Sequence, residues 1–453
     1  MSKKLSRRDL LKATLALALA VPLAQACAPA PPPAAKEEPK KEATPVPKTE
    51  APVAKKEKAV MSIATYAATH NDWQRDMAKK WKETHPDVEL TVEEVPYAEM
   101  NKKQQAMLAT GNLWDVSFSG IKWYPYSVVK GCFLPLDDLI AAKNPGMDDF
   151  FPSALSACKW DGKIYGLPYL MHPGNQALVS YNVDMVSAKG LTPPTDDWTM
   201  ADFAELATKL TDNEKKIFGT NYMAANFYDF CAPSRSYGGD VMDKEGKKFT
   251  VATDPKSVEA AHWCVDLRAK LRCAPLRADS EGLTFAAGQL ATRTLGTYWV
   301  LGNIQEVGDK FKYGLVLHPK GPDGKRGWQI FVEMFSIYAK SKVPDLAYDL
   351  VMLETSKDAG IQAIKVNKAQ PTGRKSVWAD EEVNSRGPIY KRALDWMSST
   401  EGPFPMPYNV RFAELQDTWA NTAVDWFYGE VPFDEGINKV QTGCQKIMDL
   451  PRA

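Results

Sequence analysis

The clearest pattern in the chain is a stripe. Trp73, Met77 and Trp81 recur every four residues behind Asp72, which predicts an amphipathic helix with Asp72 as its cap. His85-Pro86-Asp87 closes it, because the residue before a proline is pushed out of the helical region. Val88, Leu90 and Val92 then alternate with Glu89, Thr91 and Glu93, the period of a half-buried strand. Met61 to Tyr66 reads as an earlier strand, and Tyr97 to Leu108 as a helix stopped at Gly111. Trp114 to Ser117 reads as a third strand that opens into Phe118-Ser119-Gly120. Strand, helix, strand, helix, strand predicts an α/β fold with a parallel sheet under helices. Ligands of such sheets lie beyond the carboxyl ends of the strands, here the segments Ala67–Trp73 and Ser119–Tyr126. Further along, helices are predicted at Ala201–Leu210, Pro255–Leu271, Pro344–Glu354, Ala413–Tyr428 and Phe433–Met448. Strands are predicted at Tyr313–Leu317 and Phe335–Ala339, and no internal repeat is found.

The first 60 residues follow another logic. Lys3, Lys4, Arg7 and Arg8 precede an apolar stretch, Ala13–Ala26, that is shorter than the roughly 20 residues of a membrane span. Residues 1–26 therefore read as a signal peptide. Ser6-Arg7-Arg8-Asp9-Leu10-Leu11-Lys12 resembles a twin-arginine export signal, and an ordinary Sec signal is the alternative. Leu23-Ala24-Gln25-Ala26-Cys27 resembles a lipobox that would place lipid on Cys27, whereas plain cleavage after Ala24-Gln25-Ala26 would free the protein. Residues 27–60 are mostly Pro, Ala, Lys and Glu, too poor in apolar groups to offset the entropy of folding. A tether of this kind extends about 3.1 Å per residue. It suits a lipid-anchored domain held off a membrane better than a freely secreted one.

Roughly 390 residues remain, a length that suits two domains. Lys plus Arg and Asp plus Glu number 56 each, and no basic block stands out in the body, so nucleic-acid binding is unsupported. Besides Cys27 there are six cysteines: Cys132, Cys158, Cys231, Cys264, Cys273 and Cys444. An even number in an oxidising compartment fits disulfides, with Cys132–Cys158 the first pairing to expect, and buried free thiols fit equally. No Cys-x-x-Cys pair points to zinc, and no metal or other cofactor is expected.

The order of short motifs resembles extracellular solute-binding protein family 1, the maltose-binding-protein-like sugar receptors of ABC importers. The matching pieces include Trp81-Lys82-Glu83-Thr84-His85-Pro86-Asp87-Val88, Met107-Leu108-Ala109-Thr110-Gly111 and Leu134-Pro135-Leu136-Asp137-Asp138-Leu139-Ile140. Asp161-Gly162-Lys163-Ile164-Tyr165-Gly166-Leu167-Pro168, Tyr181-Asn182-Val183-Asp184-Met185, Phe285-Ala286-Ala287-Gly288 and His318-Pro319-Lys320-Gly321-Pro322-Asp323-Gly324-Lys325 follow in family order. Trp114-Asp115-Val116 departs in having Trp114 for proline, and Ser180 replaces an apolar residue before the Tyr-Asn pair. The resemblance implies a two-lobed periplasmic-binding-protein-like fold of type II, with a ligand cleft between lobes joined by several crossing segments. It implies an N-terminal lobe at 60–172 plus 333–370 and a C-terminal lobe at 178–330 plus 375–453. It further implies capture of a sugar, delivery to the transmembrane subunits of an ABC permease, and a monomer attached to the membrane only through its lipid.

A sugar presents apolar faces ringed by hydroxyls, so its site needs aromatic platforms beside carboxylates and amides. The candidates are Asp72, Trp73, Ser119, Trp123, Tyr124, Asn226, Trp299, Trp328, Glu333 and Tyr408. Trp299 ranks first because, in the family, the segment after Phe285-Ala286-Ala287-Gly288 and Gly296 carries a cleft aromatic. Trp73 fits the core as well as the cleft, and His70 fits a surface loop as well as a ligand. The same fold could instead take a polyamine, a phosphate ester, a peptide or a metal complex. An exported glycoside hydrolase is a third reading. Its carboxylate pair cannot be told from the many others, and no Gly-x-Ser-x-Gly, His-Glu-x-x-His, Walker or Gly-x-Gly-x-x-Gly motif is present, so no catalytic residue is expected.

Overall fold

The computed structural model describes residues 58–67, 72–174, 176–367, 373–385, 404–405 and 409–451. The signal, Cys27, His70 and Tyr408 lie outside them. The elements that matter for function run in this order: β1 (Ala59–Tyr66), α1 (Asp72–Thr84), β2 (Val88–Val95), α2 (Tyr97–Ala109), β3 (Val116–Gly120) and α3 (Tyr124–Val129). Next come β4 (Leu167–Pro173), β5 (Leu178–Asn182), α4 (Met200–Leu210), α5 (Phe227–Ser236), α6 (Pro255–Ala269), β6 (Thr292–Leu295) and α7 (Thr297–Val307). The last are β7 (Tyr313–Leu317), β8 (Gln329–Ile337), α8 (Pro344–Glu354), α9 (Lys357–Asn367), β9 (Phe404–Pro405), α10 (Phe412–Thr422) and α11 (Phe433–Met448).

Two sheets organise the described residues, beside a short two-stranded ribbon at Lys159–Trp160 and Lys163–Ile164. The larger has the order β9-β8-β3-β1-β2, and β4 also pairs with β8. β1 is parallel to β2 and β3, and β8 is antiparallel to β3 and β4. All five residues of β3 are buried, as expected for a strand covered on both faces. α1 supplies part of the cover, burying Trp73, Gln74, Met77, Ala78 and Trp81 on the predicted stripe. The three-stranded sheet is antiparallel, with β5 between β6 and β7. Ser180 sits in that central strand and is fully buried, within 3.2 Å of both the Arg293 carbonyl and Asn303 Oδ1. The departure from an apolar residue is thus matched by polar partners.

The chain crosses between the sheets from β4 to β5 and from β7 to β8. The two crossings are tied together: Gly174 N–H donates to the Gln329 carbonyl at 2.6 Å and His318 N–H to the Ala177 carbonyl at 2.9 Å. A Cβ on Gly174 would lie 2.9 Å from the Gln329 carbonyl oxygen. Glycine is needed there because two backbones touch. Gly296 plays the same part, since a Cβ on it would come within 2.9 Å of the Pro173 carbonyl oxygen.

Several boundaries differ from the sequence pattern. The third strand starts at Val116, not Trp114, because pairing with β1 begins at Ile63↔Val116. Trp114 Nε1 instead donates to Glu93 Oε2 at 2.8 Å, and the Asp115 carboxylate accepts from Ser62 N–H at 2.9 Å. The shift carries Ser119 and Gly120 into the strand and shortens the expected loop, whose end becomes α3. β8 begins at Gln329 rather than Phe335, and the expected helix 413–428 is divided at Ala423. The expected Cys132–Cys158 bridge is not formed. All six described cysteines are free and buried. They pack as small apolar groups; burial pushes the Cys132 thiol up to about 11 and keeps it from reacting as a thiolate.

Candidate functional site

Glu333 is the centre of a group of polar and aromatic side chains on the large sheet. It lies in β8, opposite Gly120 of β3 and Leu170 of β4. The register with β4 slips between Glu333 and Met334, a bulge of the kind that re-aims a side chain. Glu333 Oε2 accepts from the Tyr169 hydroxyl at 2.6 Å, and the Tyr97 hydroxyl also bonds to the carboxylate. Burial raises the Glu333 pKa, while the two hydroxyls and the charge of Lys122 pull it back. Burial and the neighbouring carboxylate in turn push both tyrosines well above the ordinary phenol range. Both remain neutral donors.

Aromatic rings line the same end of the sheet. Tyr97 lies 5.5 Å from Tyr66 and 5.1 Å from Trp123, and Trp73 lies 6.1 Å from Tyr169. Lys122, in the turn after β3, reaches from this group to α5. Its Nζ is 3.3 Å from the Tyr228 hydroxyl and 5.0 Å from the centre of that ring. Tyr228 and Asp229 open α5, where Asn226 Nδ2 donates to Asp229 Oδ2 at 3.0 Å. Residues more than a hundred positions apart thus bring aromatic faces, two carboxylates, an amide and an ammonium to one place.

The sequence candidates divide accordingly. Glu333 and Asn226 belong to this group, and Ser119 borders it, paired with Met334 in the neighbouring strand. Ser119 is fully buried and its Oγ has no hydrogen bond among the described residues. Trp73 and Trp123 are 1 % and 5 % exposed and support the tyrosines from behind. Tyr124 is fully buried, stacks on Phe133 and donates to the Cys158 carbonyl at 2.5 Å, so its hydroxyl and ring are taken up by the core. Trp328 is buried beside the second crossing. Asp72 begins α1 and pairs with Arg75 at 3.0 Å at its half-exposed surface. Trp299 is 48 % exposed in the first turn of α7, which Gly296 holds against Pro173 of the first crossing. Tyr66, Tyr97, Lys122, Tyr169 and Tyr228 were missed. Only Lys122 gave a local signal, as the single charge in the turn after the third strand.

Residues 76–387 match the family described as bacterial extracellular solute-binding protein. The chain belongs to that family. Members are exported binding proteins, and this one is 25% identical over 334 residues to a Brucella abortus (strain 2308) binding protein, covering 72% of this chain and 78% of that one. It is 26% identical over 195 residues to the arabinooligosaccharide-binding protein of Bacillus subtilis (strain 168), covering 41% and 42% of the two chains. The fold is that of a Listeria monocytogenes ABC substrate-binding protein solved with cycloalternan. The TM-score is 0.73 at 20% identity, over 86% of this chain and 99% of the other. That likeness establishes a two-lobed α/β solute-binding fold. Among the described residues no helix is long and apolar enough to cross a membrane, and no cluster of three metal-ligating side chains occurs.

Proposed function

We propose that this solute-binding protein captures a carbohydrate between its lobes and hands it to the transmembrane subunits of an ABC permease, without chemical change to the cargo. The observation that carries the reading is the group around Glu333. Its carboxylate, phenol hydroxyls and amide are planar or neutral partners for sugar hydroxyls, and its aromatic rings are platforms for sugar faces. Oligosaccharides are the ligands named for the Bacillus subtilis and Listeria monocytogenes relatives, which favours the same class here. In this reading 60–172 plus 333–370 forms one lobe and 178–330 plus 375–453 the other. A solute touching both lobes stabilises the closed state by its differential affinity, with the paired crossings as the hinge. Lipid on Cys27 and the residues behind it would hold a monomeric receptor at the outer face of the cytoplasmic membrane.

The test is titration calorimetry over neutral mono- and oligosaccharides, with product analysis of whatever binds. Binding without turnover is expected. A panel with no binder, or hydrolysis of a bound oligosaccharide, overturns the reading. Trp299→Ala is expected to weaken the best binder about ten- to a hundred-fold, the value of losing one buried aromatic platform. The melting temperature of the unliganded protein should hold, since the ring is already half exposed. Cys27→Ser is expected to release the protein from the membrane fraction or leave it as uncleaved precursor, and wild-type partitioning would remove the anchor.

A further inference from the structure

The group around Glu333 has a second reading in its own geometry. Aromatic faces beside carboxylates are what holds an amine: the rings attract a cation through their negative faces and the carboxylates pair with it. Tyr97 and Tyr228 with Glu333 and Asp229 make such a box, to which Tyr169 adds only its hydroxyl on Glu333, and by itself it would favour a polyamine over a sugar. The box, however, contains a cation of its own. Lys122 Nζ stands 5.0 Å from the centre of the Tyr228 ring and 3.3 Å from its hydroxyl, and Asp229 and Glu333 both act on its charge. Among the described residues no carboxylate comes within ion-pair distance of it, so the ammonium sits amid the aromatic and acidic groups without being locked to any one of them.

We propose that Lys122 is a tethered occupant of this box, a charge-selectivity residue that keeps cationic solutes out of the cleft and leaves it to uncharged polyhydroxyl ligands. The proposal rests on the carbohydrate reading above and adds a residue to it. Three consequences follow from the chemistry. An incoming ammonium would meet a like charge in low dielectric, where repulsion is strongest. Asp229 and Glu333 already lie in the field of the Lys122 charge, so they gain less from a second cation. The hydroxyl of an uncharged sugar can still accept from the two N–H groups of Lys122 that Tyr228 does not use. The lysine therefore costs a neutral ligand nothing and a cationic one its counter-charge. Burial holds the Lys122 ammonium below its usual range, and Asp229 and Glu333 push the other way and favour its charged form.

The experiment is calorimetry of the full-length chain with spermidine as the amine probe, on the wild type, Lys122→Met and Lys122→Arg. The wild type and the arginine variant are expected to show no spermidine binding at millimolar concentration. The methionine variant is expected to bind it at least tenfold more tightly, and adding Glu333→Gln should abolish that gain. A Lys122→Met protein with a wild-type melting curve and no gain overturns the proposal. Should the methionine variant fail to fold, Lys122→Gln carries the same expectation. The wild-type arm stands without any variant: spermidine bound within tenfold of the best neutral sugar also overturns it. Failure of the sugar panel alone leaves the amine arm readable, so the two proposals fall separately.

Discussion

Glu333 and Glu354 sit on consecutive elements, β8 and α8, and burial raises both carboxyl pKa values. They differ in everything else. Glu333 has two tyrosine hydroxyls and a nearby ammonium. Glu354 is fully buried at the carboxyl end of its helix, and neither of its oxygens has a hydrogen bond among the described residues. The helix dipole opposes a negative charge at that end, so Glu354 must be held as the neutral acid. A buried carboxylate is expensive without partners and useful with them. The contrast separates a buried carboxyl held by hydroxyl partners from one that has none among the described residues.

A third buried group sharpens the comparison from the opposite sign. His318, in the second crossing, is fully buried, and only the backbone at Gln176 favours its charged form. Burial first, and the Arg326 charge second, lower its pKa to about 3. The unfolded chain takes up a proton near pH 6.5 while the folded chain does not, so stability should fall as pH drops below 6.5. The expected slope is about 1.4 kcal/mol per pH unit at most, or nearly 3 kcal/mol over two units. Denaturant titrations at pH 7 and below on His318→Met should show that acid limb flattened, and an unchanged limb would refute the assignment.

Glu354→Leu comes next in size. Its folded pKa lies well above the ordinary value of 4.5, so its penalty is absent at lower pH and grows as pH rises from there towards the folded pKa. Replacing it with an apolar side chain is expected to stabilise the protein by about 1–3 kcal/mol at pH 7 and by less at pH 4. Thermal melts at both pH values decide it, and a destabilised variant at pH 7 means that the carboxyl has a partner after all.

The smallest effect falls on stability at Glu333. Glu333→Gln keeps the shape and loses the charge, so the unliganded melt should change little. Sugar affinity should drop about tenfold, equivalent to 1.4 kcal/mol. Equal losses of stability and affinity would make Glu333 another Glu354, and the comparison would collapse.

Local patterns were sufficient wherever one residue's neighbours in sequence decide its fate. The stripe Trp73, Met77, Trp81 made α1 legible because side chains three and four apart share a face. The alternation from Val88 made β2 legible in the same way. The need for glycine at Gly174 and Gly296 was not legible, because its reason is a backbone from another segment pressed against them. Glu333 could be named as a candidate, yet its worth comes from Tyr97, Tyr169 and Lys122, which arrive from α2, β4 and the turn after β3. The boundary of β3 was misplaced because pairing with β1, not the hydrophobic run, sets where the strand begins.

What the sequence alone determined is the class of the molecule: the alternation of strands and helices and the ordered motifs of an extracellular solute-binding protein. These are carried by short-range periodicity and by motifs that keep their order along the chain. Only the tertiary structure decided which polar side chains meet. Tyr124 became core while Lys122, two residues earlier, reached Tyr228 more than a hundred residues away. Side-chain direction at a turn depends on strand register and on what packs from distant elements, and neither is written in the residues of the turn itself.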